Sequence, residues 1–208
     1  MHFATSANPI LLALAGATNS SCPPFPPSLT AYSSHFAQPL PPMLQSEFQT
    51  HLIQHKWNEN VSHITAGYMY NSPSRQIVRV DETFENAIAS SIFDYKNITE
   101  EGLVDNILTS VNSNFAHPTV FRGYVNSNFP LIGSDFLANN SAVFTGMVNK
   151  EFSGRDVASW SIMYQGAIPV TLFVDECGVV RGYDYFSTGE RTRVTMSFFN
   201  VRVGKVDI

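Results

Sequence analysis

The sequence predicts a mainly β fold with one principal helix: a strongly curved antiparallel meander sheet or half-barrel of about ten strands, wrapping a helix and loop cover. Three observations predict it. Short stretches of alternating apolar and polar residues recur from Glu47 to the C-terminal end. Clusters of Gly, Asn, Ser and Asp separate them at hairpin length, as in IPVTLFVDECGVVRGYDYF from Ile168 to Phe186. One stretch alone, after Thr99, has apolar residues at helical spacing.

The composition suits a single packed domain. Of the 208 residues 44% are hydrophobic and 14% charged, which excludes a disordered chain. The formal net charge is −5, and there is no basic run of the kind that holds nucleic acid. No stretch is long enough to form a membrane-spanning helix.

The elements follow in chain order. Residues 1–17 read as a signal peptide: Ile10 to Ala17 is apolar, and Ala15-Gly16-Ala17 suits cleavage before Thr18. Residues 18–45 form a Pro-rich arm whose prolines fix φ and remove donors, so it runs extended. Phe25, Tyr32 and Phe36 give that arm something to bury, as a strap across the domain would. Residues 46–208 form the β domain. Its strands are expected at Glu47–Lys56, His63–Tyr70, Arg75–Glu82 and Ala89–Lys96. Thr99 then reads as an N-cap, with Glu100 and Glu101 in the first turn, and Leu103, Val104, Ile107, Leu108 and Val111 make the stripe of the one expected helix. A strand follows at Thr119–Val125, and then an unusually apolar loop with Phe129, Leu131, Phe136 and Leu137. Ala142–Phe152, Val157–Tyr164, Ile168–Asp175, Val179–Phe186 and Arg191–Val203 complete the meander.

Two cysteines, Cys22 and Cys177, are expected to pair in an oxidising compartment. The bridge would tie the N-terminal arm to the turn after Asp175 and add roughly 4–5 kcal/mol at most through loop entropy. Four N-x-[ST] sequons, at Asn19, Asn60, Asn97 and Asn139, fit a secreted glycoprotein.

Chemistry is sparse. His51 and His55 are four residues apart and His63 follows, but there is no H-E-x-x-H arrangement, so no metal site is assigned. No P-loop, dinucleotide fingerprint or nucleophile elbow occurs, and no cofactor is called for. The candidate acids and bases for catalysis are His63, Glu82 and Asp175. Tyr68, Tyr70, Phe93, Tyr95, Phe121, Phe144, Trp160 and Phe173 are the aromatic candidates to line a ligand pocket.

The last third carries a W…P-V-x-L-x-x-D…G-x-V pattern and a closing strand with TMSFFNVRVG. With the earlier hairpin ITAGYMYNSPSRQIVRVDETF, it resembles the ependymin-like and bacterial lipoprotein-carrier (LolA-like) proteins. That resemblance implies a curved sheet with an apolar cavity beneath helical or loop cover, and Leu103, Ile107 and Val111 facing that cavity. The function expected is therefore a secreted protein that binds an apolar small molecule or lipid. A cofactor-free enzyme using the same pocket is the first alternative. A secreted effector or inhibitor with an exposed apolar patch at Phe129–Leu137 is the second. A homodimer or an extracellular protein partner stays open.

Overall fold

The computed structural model describes residues 22–30, 37–59, 61–84, 86–112, 114, 117–150, 154 and 156–208. The leader, Asn19, Asn60, Tyr32 and Phe36 lie outside the described residues. Eleven antiparallel strands form one open sheet in the order β6-β5-β4-β3-β2-β1-β11-β10-β9-β8-β7. They are β1 (Phe48–Asn58), β2 (Val61–Ser72), β3 (Ile77–Phe84), β4 (Ala87–Ile98), β5 (Val104–Asn112), β6 (Thr119–Val125), β7 (Val143–Asn149), β8 (Asp156–Tyr164), β9 (Ile168–Val174), β10 (Val180–Ser187) and β11 (Thr192–Val203). Two one-turn helices, α1 (Pro27–Thr30) and α2 (Phe136–Asn139), are added.

The order contains two meanders. β1 to β6 step outward on one side, β7 to β11 step inward on the other, and the chain closes by pairing β1 with β11 in the middle. β6 and β7 are consecutive in sequence yet occupy opposite edges. Residues 126–142 must therefore cross the whole sheet, and they do so over one face.

That face is the core. Period-two alternation puts Phe48, Leu52, Met69, Val78, Val80, Phe93, Leu172, Tyr183, Val194, Met196 and Phe198 on it, all buried. The crossing segment adds Phe129, Ile132, Phe136 and Leu137 from above. The sheet coils to enclose them. β4 and β9 stand six strand spacings apart, ~29 Å in a flat sheet. Yet a Cβ on Gly102, just after β4, would lie 3.4 Å from Gln165 Nε2 in the β8–β9 turn. Turns from opposite halves of the sheet meet.

The expected helix after Thr99 is instead β5, paired with β4 from Ala87↔Asn112 to Asp94↔Asp105. Val104, Ile107, Thr109 and Val111 are β-branched, and β4 offers them a ladder that an isolated helix lacks. The N-cap signature serves a turn: Leu103 N–H donates to Thr99 Oγ1 (3.2 Å) and Thr99 N–H to the Leu103 carbonyl (2.9 Å). Gly102 takes the positive φ of 83° that this turn needs. Ile107 and Val111 consequently face away from the core side, where Val104 is buried.

The cysteines pair, with Cα atoms 5.3 Å apart. The bridge fastens the arm beside the β9–β10 turn, where Gln45 N–H also donates to the Gly178 carbonyl (2.8 Å). Gly178 has φ 74°, and a Cβ there would sit 2.6 Å from the Met43 carbonyl oxygen, so the turn accepts the arm only as glycine. Phe25 packs against the core, as a strap would.

Candidate functional site: a tyrosine-lined cavity under the crossing segment

Between the coiled sheet and the crossing segment lies a partly open cavity of about 420 Å³. Its sheet wall comes from Tyr95 and Ile98 on β4, Val104 on β5, and Ile168, Val170 and Leu172 on β9. β10 adds Tyr183, Tyr185 and Ser187, and Tyr164 stands at the end of β8. The cover is Asn126, Ser127, Asn128, Pro130, Leu131 and Phe136. Gly102, Gln165 and Glu190, from three turns, complete the edge.

Two tyrosines hold the cover down. Tyr95 Oη donates to the Phe129 carbonyl (2.5 Å), and Tyr183 Oη donates to the Asn128 carbonyl (2.8 Å). Ser127 Oγ caps the same bend, accepting from Phe129 N–H at 3.1 Å. Farther along, buried Asn71 accepts from Ile132 N–H (3.1 Å) and donates to the Ile132 and Ser46 carbonyls (2.9 and 2.6 Å). Phe93 packs on Phe129 with ring centroids 6.1 Å apart, and Phe136 on Tyr164 at 6.2 Å.

The hydroxyls of Tyr164 and Tyr185 make no hydrogen bond among the described residues. Burial pushes all four phenols up: Tyr95, Tyr164, Tyr183 and Tyr185 stay neutral at any ordinary pH. For Tyr183 the neighbouring tyrosines and the Glu82 carboxylate add to the effect of burial, and for Tyr185 the Glu190 carboxylate does.

The sequence candidates are scattered by strand alternation. Of the eight aromatics, Tyr95 lines this cavity and the other seven do not. Tyr68 and Tyr70 alternate to the outer face, Tyr68 exposed and Tyr70 under the Arg79 guanidinium at 5.5 Å. Phe173 is also on the outer face, beneath Lys150 Nζ at 3.8 Å. Phe144 and Trp160 pack on each other at 5.4 Å, Phe93 is consumed in holding Phe129, and Phe121 is exposed on edge strand β6. The other tyrosines that line the cavity, Tyr164, Tyr183 and Tyr185, share one face of the sheet in successive rows: Tyr183 opposes Leu172, Tyr185 opposes Val170 and Tyr164 opposes Ile168. Alternation in the β8–β10 meander was the signal that could have found them.

Among the acids, Asp175 belongs to the β9–β10 turn. Its Oδ1 accepts from Cys177 and Val179 N–H (2.9 Å each), and its Oδ2 takes Arg181 at 2.6–2.8 Å. That is a turn-building role at the foot of the disulfide. Glu82 faces the core side opposite Gly67, and burial pushes its carboxyl up against the opposing pull of Thr65 and Lys56. Its neighbour Gln54 is buried, donates to Thr65 Oγ1 (3.4 Å), and leaves Oε1 without a partner. His63 sits opposite Lys56, whereas His51 and His55 point to the outer face, His55 against Ser62 (2.5 Å) and Trp57. Among the described residues no group of three or more His, Cys, Asp or Glu could hold a metal ion.

Asn97 ends β4 rather than preceding a helix, and Asn139 ends α2 rather than lying in a loop; both are exposed. The apolar residues Phe129, Ile132, Phe136 and Leu137 are buried, so the exposed patch expected at Phe129–Leu137 is absent. The crossing segment spends them on the core. No helix among the described residues is long and apolar enough to cross a membrane.

No family model matches the chain, and no curated protein matches it. Among solved structures it is similar to a DUF1329 family protein from Desulfovibrio piger (TM-score 0.36, 10% identity, over 76% of this chain and 85% of that one). It is also similar to MucB (TM-score 0.41, 11% identity, 79% and 55%). A third is an outer membrane lipoprotein-sorting protein domain from Vibrio parahaemolyticus (TM-score 0.36, 9% identity, 79% and 88%). At TM-scores this low the likeness carries no argument about function. None of these three structures is an ependymin.

Proposed function

We propose that this chain binds an apolar small molecule or lipid in the cavity beneath residues 126–136. The observation that carries the reading is the cavity itself: about 420 Å³, with an interior of Val, Leu, Ile, Phe and tyrosine faces and polar side chains gathered at its edge. That volume lies within the ~300–1,000 Å³ typical of small-molecule sites, which are mostly apolar with a few placed polar groups. Each Å² of apolar ligand surface removed from water contributes about 25 cal/mol. A protein maturing in an oxidising compartment, with glycans at Asn97 and Asn139, is part of the same proposal; the Cys22–Cys177 bridge is its support.

Native mass spectrometry of protein secreted from a eukaryotic host, before and after organic extraction, tests it. An extractable adduct of lipid-like mass is expected. A bare mass that stays unchanged after lipids are offered would sink the proposal.

A second reading, a cofactor-free catalyst, has Glu82 as its candidate acid or base: its carboxyl lies on the core side of the sheet, outside the cavity lining, and burial there pushes it up. Recovery of a chemically altered ligand from the wild type and an unaltered one from Glu82→Gln would establish it.

A further inference from the structure

We infer that the ligand's polar end is uncharged or cationic, and that the cavity selects against anionic amphiphiles such as fatty-acid carboxylates. This rests on the binding reading above and adds the chemical class of what is bound. Among the described residues the cavity lining contains no Lys, Arg or His, and its one charged side chain is the carboxylate of Glu190. Lys56, Lys96 and Arg191, which lie near it by register or by sequence, are not part of that lining. The turn that carries Gly102 to the cavity edge adds Glu100 and Glu101, both exposed. An anion entering here would give up its hydration with no counter-charge to replace it and with Glu190 in the same wall.

The remaining polar groups suit the opposite choice. Tyr164 and Tyr185 carry hydroxyls that make no hydrogen bond among the described residues, and Asn126, Asn128 and Gln165 stand exposed at the edge. Neutral phenols and amides both donate and accept, so an alcohol or amide head can be satisfied there. The aromatic rings of Tyr164, Tyr183 and Tyr185, in one lining with a carboxylate, also favour an ammonium group, through the ring quadrupole and through direct charge attraction.

The test uses three amphiphiles with one chain and three heads: dodecanol, dodecylamine and dodecanoate, each displacing the neutral fluorophore N-phenyl-1-naphthylamine from the full mature chain at pH 8. Dodecanol and dodecylamine are expected to displace it, with dodecanoate at least roughly tenfold weaker. Glu190→Lys is expected to reverse the order of amine and carboxylate. Equal displacement by all three, or preference for dodecanoate in the wild type, overturns the inference while leaving the binding proposal standing. Failure of the fluorophore and of all three amphiphiles to bind removes both.

Discussion

Three residues show how single side chains decide this fold. Asn71 is fully buried on β2 and makes three hydrogen bonds, one to Ser46 just after the arm and two to the crossing segment at Ile132. Asn71→Ala leaves buried backbone groups unpaired, and a loss of roughly 2–4 kcal/mol is expected in urea unfolding. Asp175 folds its own turn by accepting two backbone N–H groups and Arg181. Glu82 sets a pH dependence. Its carboxyl is raised from 4.5 by burial, so the folded chain holds that proton more tightly than the unfolded chain does. Stability from this group therefore falls as pH rises from 4.5 through the folded value. Glu82→Gln should unfold at higher urea than the wild type at pH 7 and at about the same urea at pH 4. A variant less stable at pH 7 would refute the assignment.

At the scale of elements, the crossing segment 126–142 is the part on which a ligand would depend. It is a connection with almost no secondary structure, held by side chains rather than by a ladder. Tyr95→Phe and Tyr183→Phe each remove one clasp and keep the ring. Each should cost about 1 kcal/mol of stability. The double variant should release a bound fluorophore faster in stopped-flow displacement, with strand content by far-ultraviolet circular dichroism unchanged. Equal release rates would show that the clasp does not gate the cavity. The β8–β9 connection is a tight hairpin turn: Gln165 and Gly166 take the paired positive φ values, 50° and 70°, that such a turn uses. It places Tyr164 and Gln165 at the cavity edge.

For the whole molecule, the long-range ties matter most. β1 and β11 pair at the centre of the sheet, the β4–β5 and β8–β9 turns meet at Gly102 and Gln165, and the disulfide spans a sequence separation of 155. Cys177→Ser frees the arm and should lower stability by roughly 2–5 kcal/mol, read as a fall in urea midpoint against the oxidised wild type. Reduction of the wild type should give the same fall and little further change in the variant. The cavity exists because the sheet coils far enough for turns of its two halves to meet.

The local sequence determined the strands, most turns and the pairing of Cys22 with Cys177. Alternation, turn chemistry and a two-cysteine count are each readable within a few residues or by elimination. It also determined that 126–141 is apolar beyond a surface loop's needs, which the structure explains as a cover. Tertiary structure decided the rest. It turned Thr99–Asn112 from an expected helix into a turn and β5, since an open β4 edge outweighs a helical spacing that five β-compatible residues also satisfy. It decided which aromatics meet a ligand, because face assignment flips with each residue and depends on where the sheet bends. Tyr68 and Tyr183 look alike in sequence; one is 47% exposed on the outer face and the other 1% exposed beneath the cover. The physical reason is that alternation gives two faces, while only the coil of the sheet and the path from β6 to β7 say which of them is inside.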